Sequence, residues 1–145
     1  MVRRHGYTLL ELLVVIIVLG ILLAIMGTNL RPLYVSVNDA ATRVEGFVKQ
    51  TRAKAMATTS AYRIKIQANK LVTERAVRCT SASWTADPKL KLALPEGITL
   101  QSTPNNPLCF DSRGYAQTPL RYTLTDQKGH TRELEVLLGG AVRRR

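Results

Sequence analysis

Hydrophobic and polar positions along the chain fall into three regimes. From Leu9 to Met26 the side chains are apolar on every side, with Glu11 as the one charge and no other charged residue from Leu12 to Met26. A helix that is apolar all round belongs in lipid or inside a bundle of other helices. From Val37 the pattern changes. Val37, Ala40, Ala41, Val44, Phe47, Val48, Thr51 and Ala55 recur at three-and-four spacing, while Arg43, Glu45, Lys49, Arg52 and Lys54 occupy the other faces. That spacing predicts an amphipathic helix with one stripe to bury. Together the two regimes predict one continuous helix from about Thr8 to about Thr59, with Arg31-Pro32 permitting a kink or short break.

Beyond Thr58-Thr59-Ser60 the period falls to two. Tyr62–Ile66 and Leu71–Val77 read as strands around an Ala68-Asn69-Lys70 turn. Residues 79–90 read as polar and irregular. Lys89–Leu92, Ile98–Leu100, Leu108–Phe110, Arg121–Thr125 and Arg132–Leu138 read as further strands. Pro95-Glu96-Gly97, a loop over 102–107 and an Asp126–Gly129 hairpin turn connect them. The expected fold class is α+β, a long N-terminal helix packed on a small antiparallel sheet. With a helix of 50–60 residues set aside, one domain of roughly 85 residues remains.

Glu11 changes how the first regime is read. A charge inside an apolar span costs on the order of 2.5–3.5 kcal/mol on insertion scales, so an acid there implies a process that needs it. A secretory signal peptide accounts for Arg3 and Arg4, but Gly27-Thr28-Asn29 follows the run where a small-residue cleavage site belongs. A plain anchor accounts for the 18 residues of Leu9 to Met26, near the roughly 17–25 a bilayer needs. Arg3 and Arg4 place its N-terminus in the cytoplasm by the positive-inside rule, and the rest of the chain outside. Neither reading uses Glu11.

The segment Gly6-Tyr7-Thr8-Leu9-Leu10-Glu11 resembles the processing site of the type IV pilin and pseudopilin superfamily. In that family a short basic leader ends in Gly, and a Glu stands at the fifth mature position. The resemblance implies a leader of Met1 to Gly6, cleavage by a prepilin peptidase between Gly6 and Tyr7, and N-methylation of Tyr7. It divides the chain into a leader (1–6), a transmembrane and filament-core helix (7–30), an amphipathic helix half (31–60) and a β domain (61–145). Gly20 falls at the fourteenth mature position, where pilins commonly carry Gly. Tyr7 departs from the commoner Phe, and Thr28 stands where a helix-kinking Pro is often found. The resemblance also implies a role for Glu11 in assembly, its carboxylate meeting the free N-terminal ammonium of a neighbouring subunit. A buried charge becomes tolerable once paired. The implied partners are other pilins, the prepilin peptidase and the inner membrane, and the implied destination is a pilus or pseudopilus.

Cys109-Phe110-Asp111-Ser112-Arg113-Gly114-Tyr115-Ala116 narrows the resemblance to the FimT/GspH group. In that group two strands and a Gly-Arg-rich tail follow. Here Tyr122–Leu124, Lys128-Gly129, Leu134–Val136 and Gly139-Gly140 follow in that order. The implied role is a minor pilin of a type IV pilus or a minor pseudopilin of type II secretion. Gly114 itself reads as a turn residue with φ > 0.

Charge adds a second candidate partner. Lys and Arg number 21 against 10 acids, a formal net charge of +11. Losing Arg3 and Arg4 with the leader leaves +9, by 11 − 2. Such a field favours anionic partners. Some FimT proteins bind DNA through a C-terminal Gly-Arg-x-Arg motif. This sequence has Ala141 at the first arginine of that motif and Arg143 at the second, with Arg144 and Arg145 extending the basic run. Arg143–Arg145 on a mobile tail are thus candidate phosphate contacts, sequence-independent in kind. The plainer alternative is a solubilising tail.

Cys79 and Cys109 both lie on the exported side. They read either as a disulfide, closing a loop for roughly 3–4 kcal/mol in chain-entropy terms, or as two buried thiols. The absence of Cys-x-x-Cys, with His130 as the one exported histidine, speaks against zinc. Catalysis finds no constellation either. Cys109 or Ser112 as nucleophile has no base but His130, in a hairpin turn, and Asp111 and Asp126 form no working pair. No enzyme activity, cofactor or small-molecule substrate is expected. Trp84 reads as a partner surface or as a cap over the core.

Overall fold

The computed structural model describes residues 8–28 and 37–145, with side chains in the first helix described as far as Leu22. The chain divides into two units, Met1–Tyr34 and Val35–Arg145. The first contains helix α1, Leu9–Thr28. The second begins with α2, Val37–Ala57, followed by eight strands. Arg31-Pro32, and with them the continuity expected between the helices, lie outside the described residues.

The buried face of α2 consists of Val37, Ala40, Ala41, Val44, Phe47, Val48, Thr51 and Ala55, the stripe that the three-and-four spacing marks out. Asp39 in its first turn and Lys54 in its last suit the helix dipole. Its end has no glycine. Thr59 takes a left-handed φ of 46°. The Ser60 amide donates to the Ala55 carbonyl (3.2 Å) and the Thr59 amide to that of Met56 (3.3 Å). This is a Schellman closure built on a residue that ordinarily avoids that conformation.

Where one small sheet was expected, there are two of four strands each. The first has the order β3-β2-β1-β5, from Thr85–Ala93, Lys70–Ala76, Ala61–Gln67 and Leu108–Phe110. The second has the order β4-β6-β7-β8, from Thr99–Thr103, Leu120–Thr125, Thr131–Val136 and Val142–Arg144. All pairings are antiparallel. Alternation turns Tyr62, Ile64, Leu71, Leu108 and Phe110 inward from the first sheet, and Leu120, Tyr122, Leu124, Leu134 and Val136 inward from the second. Both inner faces and the α2 stripe close a single core.

The segment expected to be irregular over 79–90 is partly strand, since β3 starts at Thr85. Thr85, Ala86 and Asp87 pair with Arg75, Glu74 and Thr73, and the register then shifts at Val72/Thr73 before Lys91 meets Val72. Pro88 falls within the stretch absorbed by the shift, on an outer strand where a missing amide is tolerated. Trp84 is no core cap. It is half-exposed, donates its indole N–H to the Ser81 carbonyl (2.8 Å) and lies under the Arg63 guanidinium, 4.1 Å from ring centroid to Cζ.

Candidate assembly helix and basic edge

In α1 the informative geometry is at the start. The Glu11 amide donates to Thr8 Oγ1, and the Thr8 amide donates to Glu11 Oε2, both at 3.3 Å. This is a reciprocal capping box, each residue's side chain accepting from the other's amide, with the Glu11 amide also within reach of the Thr8 carbonyl (3.1 Å). Glu11 is therefore not a bare charge in the isolated chain. It is a bonded carboxylate at the positive end of a helix, and the apparent cost of placing it there falls accordingly. The Thr-x-x-Glu spacing ahead of an apolar run was the available signal for this role of Thr8.

Behind the cap, the apolar side chains from Leu9 to Leu22 are 49–85% exposed. Among the described residues no helix is long and apolar enough to cross a membrane, the described side chains of α1 ending at Leu22. Gly6 and Tyr7, the expected cleavage and methylation positions, lie outside the described residues.

The two cysteines are bonded. Cys79, after β2, and Cys109, on β5, form a disulfide across a separation of 30 residues with Cα atoms 6.0 Å apart. Cys109 is the buried partner.

The expected mobile tail is instead a strand. Val142, Arg143 and Arg144 pair with Val136, Glu135 and Leu134, after a turn in which the Leu137 amide donates to the Ala141 carbonyl (2.9 Å). The physical reason is that the tail has specific partners. Val142 packs against the core. Arg144, on the same face, donates from Nε to Glu45 Oε2 (2.5 Å) and from a terminal nitrogen to Thr42 Oγ1 (3.2 Å), both on α2. Glu45 also receives Lys49 at 2.6 Å. The hydrogen bonds from Lys49 and then Arg144 hold its carboxyl below the usual range, against the opposing effect of burial. Arg145, on the opposite face, stands 3.7 Å from Glu135. Arg143 is exposed and has no ion-pair partner among the described residues. Arg121 lies 3.6 Å from Glu133 on the same sheet, so acids interleave with the arginines. Sequence reasoning missed Glu45 and Glu135 because each stands far along the chain from its arginine, and only pairing brings them together.

Asp126 is buried and serves its hairpin, accepting the Lys128 (2.8 Å) and His130 (2.9 Å) amides and pairing with His130 Nδ1 at 2.8 Å. Among the described residues no group of three or more His, Cys, Asp or Glu side chains is placed to hold a metal.

Residues 1–27 match the family model described as the prokaryotic N-terminal methylation motif. The fold is that of the type IV minor pilin FimU from Pseudomonas aeruginosa, at 17% identity and a TM-score of 0.62 over 75% of this chain and 87% of that one. It is also that of the minor pseudopilin EpsH from the Type 2 Secretion System of Vibrio cholerae, at 15% identity and a TM-score of 0.60 over 75% of this chain and 95% of that one. No curated protein matches the chain. The chain thus joins a match to the N-terminal methylation motif over residues 1–27 to a fold shared with a minor pilin and a minor pseudopilin.

Proposed function

We propose that the chain is a non-catalytic minor pilin or pseudopilin, delivered to the inner membrane with its N-terminus in the cytoplasm and then drawn into a pilus or a type II secretion pseudopilus. A prepilin peptidase removes Met1–Gly6, and Tyr7 becomes the methylated N-terminus. The apolar segment over 7–30 spans the bilayer first and packs among other pilin subunits afterwards. The observation that carries this reading is the methylation motif standing directly before a helix whose apolar side chains are exposed all round. Neither enzyme chemistry nor a soluble binding domain requires both features.

Glu11 takes part in two successive arrangements. Its bond to the Thr8 amide holds the carboxylate at the end of the helix, where the ammonium of a neighbouring Tyr7 can meet it. Cleavage creates that ammonium, so processing and docking are coupled. Mass spectrometry tests the first step. The membrane form is expected to lack six residues and gain one methyl group, and a Gly6→Val chain is expected to keep its leader. Recovery of an uncut wild-type chain from cells with an active peptidase would overturn the reading.

A second reading, a DNA-contacting subunit of a transformation apparatus, is favoured by the net positive charge and by the unpaired Arg143. Its phosphate contacts centre on Arg143, because Arg144 and Arg145 are engaged with Glu45 and Glu135.

A further inference from the structure

Four strands end the two sheets, and three of them are guarded. β3 carries Pro88, Lys89, Lys91 and a register shift. β8 carries arginines. β5 is three residues long, and its outer side is taken by the following turn, where Ala116 bridges Phe110 and the Gln117 amide donates to the Cys109 carbonyl (2.9 Å). Charge, proline, bulges and covering loops are the usual means of keeping a sheet edge from pairing with another chain. Within its own five residues β4 has no charge, no proline and no register shift. Its sequence is Thr-Leu-Gln-Ser-Thr, uncharged throughout, and it pairs on one side only, with β6.

A second open edge faces it. β5 pairs with β1 only over Tyr62–Ile64, so among the described residues Lys65–Gln67 have no strand on that side. Between this half of β1 and β4 run two adjoining clefts of about 320 and 450 Å³, which share Ile66, Ser102 and Asn105. Their floor includes Ile66, Leu100 and Tyr122, and amide side chains of Gln67, Gln101 and Asn105 stand among the lining. An unguarded backbone edge beside an apolar floor with amide-bearing walls has the chemistry of a strand acceptor. Main-chain hydrogen bonds supply affinity there, and every second side chain enters the cleft.

We propose that β4 accepts an extended peptide strand of about five residues from another protein, paired to its free backbone edge, with alternate apolar side chains laid on Ile66 and Leu100. An uncharged or apolar alternating segment fits, because the one charged side chain in the lining, Lys65, is already paired with Glu74 (3.0 Å). All the residues of this site belong to the second unit.

Hydrogen exchange on the full chain in detergent micelles tests it, with a set of eight-residue peptides alternating valine or leucine with threonine as the probe. At saturating peptide, the β4 amides that point away from β6 are expected to slow by at least about tenfold. The same peptides N-methylated at alternate amides are expected to give no protection, since they cannot pair. Ser102→Lys, which puts an ammonium into the cleft, is expected to abolish the effect while the β6–β7 amides keep their own protection. Three results would overturn the proposal. One is no protection by any peptide of the set. Another is equal protection by the N-methylated peptides. The third is protection that grows with protein concentration alone, which would assign the edge to a second copy of the chain.

Discussion

Arg144 reaches back 99 residues to Glu45, its Nε 2.5 Å from the carboxylate. One contact fastens the last strand of the second sheet to the helix that opens the domain. Both partners remain partly open to solvent, so the pair resembles a surface ion pair in energy. Arg144→Ala is expected to lower the stability of the 35–145 unit by about 0.5–1 kcal/mol, measured by urea unfolding. A loss above about 3 kcal/mol would show that β8 depends on this one contact.

The same carboxylate sets a pH dependence. Glu45, Glu74 and Asp87 are all held below their ordinary values of 4.5, 4.5 and 3.8. For Glu74 burial pulls the other way, and the hydrogen bonds and charges of Lys65 and Arg63 together outweigh it. For Asp87 the Lys54 hydrogen bond leads. A depressed folded-state value stabilises the fold above the unfolded value and loses that contribution as pH falls through the folded one. The thermal midpoint is therefore expected to be level above about pH 5 and to decline progressively below about pH 4.5. A midpoint that rises on acidification would contradict these pairings.

Reducing the Cys79–Cys109 bond releases a constraint across 30 residues. The Cys79→Ser and Cys109→Ser double variant is expected to lose about 3–4 kcal/mol. Thiol titration after denaturation, with and without reductant, checks that the bond is present in the folded chain.

Gly140 has φ 74°, and a Cβ there would run into the Gly114 carbonyl and the Arg52 side chain. Gly140→Ala is expected to cost more than the roughly 1 kcal/mol of an exposed left-handed position, because a backbone oxygen cannot step aside as a flexible side chain can. Circular dichroism melts of this variant beside Gly129→Ala, where a Cβ meets open space, separate the clash from the conformational cost.

Glu11 permits a sharper separation. Glu11→Gln keeps an oxygen to accept the Thr8 amide but removes the charge, whereas Thr8→Val removes the hydroxyl and keeps the charge. If assembly uses a counter-charge, the Gln variant is expected to insert normally and fail to enter filaments, while Thr8→Val assembles at reduced efficiency. Filament fractions probed by immunoblot distinguish the two. Normal incorporation of the Gln variant would leave the capping box as the whole role of Glu11.

DNA contact has its own contrast. Arg143→Ala is expected to weaken gel-shift binding and reduce its salt slope by about one. Arg144→Ala is expected to act mainly through stability. Equal effects on binding at fixed folded fraction would argue that the whole edge loosens on DNA.

The α2 stripe was legible residue by residue because burial on a helix follows from a fixed local period. Most strands were legible for the same reason. The division into two sheets was not, since it depends on β5 choosing β1 and β4 choosing β6, choices made by packing between distant segments. Thr85–Asp87 gave no alternation to read, because Pro88 and the register shift interrupt it. The arginines from 143 to 145 carried a charge signal that pointed to a loose tail, and only the distant Glu45 and Glu135 turn them into a strand. At the N-terminus the motif is visible in the sequence, whereas the Thr8–Glu11 reciprocity that softens its cost depends on side-chain geometry at the start of the helix.

Arg52 joins three parts of the domain at one point. From α2 it donates to the Gly114 carbonyl at 2.9 Å, in the turn leaving the first sheet, and its side chain packs beside Gly140, in the turn entering the last strand of the second. In mechanical terms, tension drawn along α2 reaches both sheets in parallel through this junction. Neither sheet can be peeled away from the helix at that end until the Arg52 tie has given way.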